Sequence, residues 1–190
     1  MDKKILLGAL LFSALTSNAS ANWQAGVSFG RFTEKSYNQD IDLDIVSFSL
    51  SYQIDLKNNW KLAPELKIGQ GVGNFRTDKS FYLEALENFT DLSLVNAEVE
   101  IDRFIEAGLK LEYHFSSGFY SYLNASYADI DISTRGNSSA ASFSFSRGNQ
   151  DEFGLGVGIG YQLTKVLKTD VNFQRFGSDD LLSASLKYSF

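Results

Sequence analysis

From Trp23 onward the chain alternates apolar and polar residues with a period of two almost everywhere. The longest stretch is Phe153-Gly-Leu-Gly-Val-Gly-Ile-Gly-Tyr161-Gln-Leu163, in which six apolar residues share one parity and four Gly and one Gln share the other. A helix would scatter those six around its circumference, whereas a strand collects them on one face. The same test predicts strands over Trp23–Phe29, Val46–Ile54, Trp60–Ile68, Ile105–Phe115, Phe119–Tyr127, Phe153–Leu163, Leu167–Phe173 and Leu182–Phe190. Pro64 falls inside the third, where a closed sheet has no free edge to absorb the missing N–H, so a bulge is expected there.

The connections alternate in length. Those after Asp55, Phe115 and Leu163 are tight, the segments around 33–45, 75–100 and 131–152 are long, and 176–181 is a shorter loop on the same side. Short turns on one rim and long loops on the other are the layout of an outer-membrane barrel, with both termini on the short-turn, periplasmic rim. The aromatics indicate which face meets lipid. Trp23, Tyr52, Trp60, Tyr113, Phe115, Phe119, Tyr161, Tyr188 and Phe190 lie on the apolar parity at the short-turn ends, and Phe29, Phe48, Tyr127, Phe153 and Phe173 on the same parity toward the other rim. Bilayer interfaces select two such bands. A soluble barrel would instead turn its apolar side inward and carry a well-charged outer face.

Composition adds an address. Met1-Asp2-Lys3-Lys4, the apolar run Ile5–Leu15 and Ala19-Ser20-Ala21 read as a secretory signal peptide over residues 1–21, leaving a barrel domain over 22–190. Removing Asp2, Lys3 and Lys4 leaves 15 basic and 22 acidic residues, a net charge of −7. With no basic cluster, no nucleic-acid partner is expected. The chain has no Cys and one His, so no metal set of those residues can be assembled, and no metal or cofactor is expected.

The whole mature pattern resembles the small eight-stranded Gram-negative outer-membrane barrels, the group of the OmpA transmembrane domain, OmpX, Ail and the opacity proteins. Two motifs carry the resemblance. The C-terminal alternation Leu182, Ala184, Leu186, Tyr188 and Phe190 resembles the signal read by the barrel-assembly machinery, which the resemblance makes a partner, and the Gly-Leu-Gly-Val-Gly-Ile-Gly-Tyr run resembles the sixth strand of these proteins. The resemblance implies an all-β fold, an eight-stranded antiparallel transmembrane barrel in the cell outer membrane. It would touch outer-membrane lipid and lipopolysaccharide.

Charged residues on the inward parity are Lys61, Glu65, Lys67, Glu106, Lys110, Glu112, Lys168, Asp170 and Lys187. Counting from the short turns sets Lys61 near Glu112, Glu65 near Lys110, Lys67 near Glu106 and Asp170 near Lys187. Eight strands enclose only enough room for side chains, so an ion-paired plug is expected in preference to a conducting lumen. His114 with Ser116 is similar to the His-x-Ser pattern of lipid A deacylases, but it falls at the periplasmic end, away from the outer leaflet where those enzymes act. No catalytic residues are therefore assigned.

Odd-parity apolar residues run on through Val95, Ala97, Val99 and Ile101 and through Ala141, Phe143 and Phe145, so these strands outrun the membrane as a protruding sheet. Phe81–Phe89 has the spacing of a short amphipathic helix. Asp40-Ile-Asp42-Leu-Asp44 reads as a negative surface first and a Ca²⁺ loop second. Phe81, Tyr82, Leu83, Phe89, Phe143 and Phe145 form the candidate loop interaction surface for a surface protein or host partner. The function expected is a non-porin, non-enzymatic surface interaction or adhesion barrel. A passive structural barrel and a lipid-modifying enzyme are the alternatives.

Overall fold

The computed structural model describes residues 22–35, 40–73, 75–77, 94–138 and 142–190, with side chains described except at 75–77, 94–97, 134 and 136–150. Its strand segments are β1 (Trp23–Lys35), β2 (Asp40–Tyr52), β3 (Ile54–Asp55), β4 (Trp60–Gly71), β5 (Phe75–Thr77), β6 (Leu94–His114), β7 (Phe119–Ser138), β8 (Ser142–Gln162), β9 (Leu167–Phe176) and β10 (Asp179–Ser189). β3 prolongs β2 and β5 prolongs β4, giving eight antiparallel staves. β10 pairs with β1 and β4 with β6, which closes the barrel. At the seam Phe190 N–H donates to the Trp23 carbonyl at 2.9 Å.

The periplasmic turns follow from their residues. Asn58 (φ 59°) and Asn59 (φ 66°) both adopt the left-handed conformation that a two-residue turn needs if its twist is to match the strands it joins. Gly118 (φ 86°) serves the same end after Phe115. On the outside, apolar residues such as Phe48, Leu123, Leu155 and Ile159 are more than half exposed. Ring pairs Trp23–Tyr52, Trp60–Tyr113 and Phe119–Tyr161, with centroids about 5 Å apart, build the lower aromatic band.

Three sequence expectations are corrected. Pro64 sits in unbroken register with Leu109 of β6, and the β2–β4 and β3–β4 ladders share one register on either side of it. The missing N–H is thus absorbed by a gap in the ladder opposite Tyr52 and Gln53, not by a bulge. The segment 33–45 is strand up to Lys35 and from Asp40, a tall hairpin where a long loop was expected, whereas 131–152, strand up to Ser138 and from Ser142, forms part of the protruding sheet that the alternation through Phe143 and Phe145 predicts. Val99 and Ile101 do not share the outward face of Ile105. A one-residue register shift at Asp102 turns them inward, 6% and 3% exposed. A single inserted residue reverses the facing of everything beyond it. The expected helix over 81–89, with the candidate contacts Phe81, Tyr82, Leu83 and Phe89, lies outside the described residues.

Candidate functional site

Inward-facing side chains fill the lumen in layers. At the periplasmic mouth Gln53 Nε2 donates to Glu112 Oε2 at 2.8 Å, His114 Nε2 meets the same oxygen at 2.9 Å, and Lys168 Nζ donates to Gln53 Oε1 at 3.1 Å. His114 also stacks on Tyr120 at 5.1 Å. This polar cluster, on the periplasmic rim, is where the single His is engaged.

Above it lies a buried ionic layer. Glu65 meets Lys187 at 2.7 Å, Lys110 at 2.8 Å and Lys67 at 3.5 Å. Lys67 also meets Glu106 at 2.8 Å, and Lys187 meets Asp170 at 3.5 Å. Tyr122 donates to Asp170 at 2.7 Å and Tyr120 at 3.2 Å, while Gln174 donates to Glu106 at 3.1 Å and to Ser126. Three carboxylates and three ammoniums therefore interlock, with Asp170 and Glu106 taking further hydrogen bonds from Tyr122, Tyr120 and Gln174, and paired, hydrogen-bonded networks are how buried charge is tolerated.

Two residues of the expected plug sit elsewhere. Lys61 is in register with Glu112, yet its ammonium pairs with Asp55 at 3.1 Å on the rim. A long stem so near the membrane edge keeps its charge in water. Glu112 takes the Gln53 and His114 contacts in its place.

The Gly-rich strand has its explanation here. Gly158 and Gly160 face Tyr122 and Tyr120 so closely that an added Cβ would fall 2.2 Å from each ring's Cζ. β8 gives up its inward side chains to the rings that hold Asp170. Gly158→Ala is expected to lower stability by about 1–3 kcal/mol through overpacking, read as a lower urea midpoint for refolding into lipid vesicles.

A third layer went unread in the sequence. Phe32, Ile41, Leu43, Ile45, Val99, Ile101, Phe104, Ala128, Ile130, Ile132, Phe176 and Leu181 form one buried apolar cluster inside the extracellular end. Around it the outward positions become charged. Arg31 binds Asp44 at 2.9 Å, Arg103 binds Asp129 at 3.2 Å, and Asp180 takes both Arg175 at 2.8 Å and Lys35 at 2.7 Å. Hydrogen bonds from Arg175 and then Lys35 pull the Asp180 carboxyl down to about 2. The alternating Asp40, Asp42 and Asp44 are on the strand, with Asp42 bound by Thr33 at 2.7 Å and Asp44 by Arg31, so they form a strand face and not a loop.

The comparisons agree with this architecture. Residues 5–190 match the model of the outer membrane protein beta-barrel domain. The chain belongs to that family. This outer-membrane barrel is similar in fold to Neisserial surface protein A, at 15% identity over 90% of this chain and 98% of that one, with a TM-score of 0.54. It is similar also to Ail, the attachment invasion locus protein of Yersinia pestis (13% identity, 89% and 97% covered, TM-score 0.53). A major outer membrane protein from Thermus thermophilus (13% identity, 88% and 99% covered, TM-score 0.50) has the same fold. No curated protein matches the chain in sequence.

Proposed function

We propose that this outer-membrane barrel is a non-enzymatic surface-interaction protein whose working part is the sheet raised above the membrane by β6, β7 and β8. One observation carries the reading. β8 runs for 21 residues, but its ladder with β9 ends at Gly154 opposite Phe176. Among the described residues, no strand pairs with β8 on that side from Ser142 to Phe153. Such an edge presents a row of free N–H and C=O groups to an incoming extended segment. Phe145 and Phe143, in register with Thr134 and Gly136, lie along that edge segment and, with Phe81, Tyr82, Leu83 and Phe89, are the proposed contacts with a surface protein or host partner. His114, bound to Glu112 and stacked on Tyr120 at the periplasmic end, supports the non-enzymatic part.

Replacing residues 78–94 and 136–148 by short Gly/Ser turns should leave the barrel heat-modifiable on gels, because the membrane-spanning alternation is untouched. It should abolish whatever attachment phenotype distinguishes a deletion strain from its parent. Full restoration of that phenotype by the trimmed barrel would put the passive structural reading first.

The proposed lipid and lipopolysaccharide contacts are the outward apolar belt and the charged rim. The proposed contact with the barrel-assembly machinery is the strand Leu182, Ala184, Leu186, Tyr188 and Phe190. Deleting Phe190 is expected to cut the folded amount in outer-membrane fractions severalfold, since the closing seam loses its last hydrogen bond and an interfacial aromatic.

A further inference from the structure

The lumen changes character at one level. A cavity of about 10 Å³, the size of a single water, has Ser28, Ser47, Ser183 and Lys67 on its polar side and Ile45, Phe104 and Leu181 on the other. Toward the periplasm every layer is hydrogen-bonded or ionic down to the mouth. Two buried amide oxygens there, Asn124 Oδ1 and Asn172 Oδ1, have no partner among the described protein groups, and such atoms are ordinarily satisfied by water. Toward the outside the next groups are Phe32, Phe104 and Phe176, each 1% exposed or less, with Ile130 beside them. Nothing in that cluster offers water a hydrogen bond, although the extracellular end also holds the carboxylates of Glu34 and Asp179, each 4% exposed, and Glu152 Oε2 beside Gly177.

We propose that the barrier to permeation is this apolar layer, not the ion-paired layer beneath it, and that water reaches the ion-paired layer from the periplasmic mouth. Ions and water avoid a narrow, wholly apolar constriction because no group there replaces their lost hydration. The ionic layer consists of donors and acceptors that can exchange partners with water, so it obstructs by volume alone. The lumen is on this account a blind polar chamber that opens toward the periplasm under a dry cap.

The test uses the full chain in planar bilayers, taking only the fraction that keeps its heat-modifiable form. Phe104→Ser with Phe176→Ser should raise the ion leak about tenfold or more over wild type. Lys67→Met with Glu106→Gln, which removes charge while keeping volume, should leave it within about twofold. Leak through the charge-neutral variant, or an unchanged leak through the serine variant, overturns the proposal. A second measurement needs no substitution. In water-edited solid-state NMR of the wild type in lipid, Asn124 and Gln174 side chains should take up magnetisation from water severalfold faster than Phe32 and Ile130. Equal build-up at the four positions overturns it as well.

Discussion

Glu65→Ala is expected to lower the stability of the barrel by about 3–5 kcal/mol, the largest effect of any single charge removed. Its carboxylate is the hub of the ionic layer, within 3.5 Å of three ammoniums. Truncation leaves them unequally placed. Lys67 keeps Glu106 and Lys187 keeps Asp170, but among the described residues Lys110 has no other carboxylate within salt-bridge reach. What remains for Lys110 is the face of Tyr122, 4.8 Å away. An ammonium left without a carboxylate at 4% exposure costs more than the pair contributed, since an aromatic face and the few waters that reach a narrow chamber replace neither its counter-charge nor its bulk hydration. Lys110→Ala and Glu106→Ala, each leaving a partner with other contacts, should cost about 3 kcal/mol. Glu65→Ala with Lys110→Met should recover much of the loss, because the uncompensated charge goes with its partner. Lys61→Ala, which breaks a rim pair open to water, should cost under about 1 kcal/mol. Urea titrations of the folded barrel in vesicles check the ranking. Equal shifts for Glu65→Ala and Lys61→Ala would show that water compensates a lost carboxylate at the hub as fully as at the open rim.

The lipid-facing half of this fold was legible because it depends on one parity held over many residues. From Trp23 to Phe29, or Phe153 to Leu163, no other regular structure puts all the apolar side chains on one side. The extracellular half was misread because the same period continues while its meaning reverses. Above the membrane, water lies outside and the apolar side must face in. The sequence carries a mark of that reversal in Ile45-Val46, Phe104-Ile105, Tyr127-Ala128 and Leu181-Leu182. Each is an adjacent pair with one member buried in the lumen and the other on the lipid face. Asp40, Asp42 and Asp44 suggested a solvated loop by composition, although Ile41, Leu43 and Ile45 alternate with them in the new phase. The bulge at Asp102 left no such mark. One extra residue in an otherwise regular alternation shows only in the pairing with β7. The ionic layer was legible as a set of residues, since register follows from turn position, but not as a network. Glu65 reaches three lysines because side chains converge across the lumen, and counting along neighbouring strands finds pairs, not hubs.

The dry layer yields the second large effect. Phe104→Ala is expected to destabilise the barrel by about 3–5 kcal/mol. Phe104 is 1% exposed and borders the 10 Å³ cavity, so removing its ring enlarges an existing void instead of letting the surroundings close. The walls cannot follow, because each belongs to a hydrogen-bonded stave whose spacing is fixed by the ladder. β6 is further constrained here by the register shift two residues away. Phe48 makes the informative control. It is a ring of the same size, 69% exposed on the lipid face, where acyl chains can occupy the space that a truncation leaves. Phe48→Ala should therefore lose the transfer free energy of the ring without the cavity penalty and cost clearly less. Parallel urea midpoints in vesicles of one lipid composition compare the two directly. If the two substitutions cost the same, the extracellular end of the lumen relaxes as freely as lipid does, and a layer that soft could not exclude water.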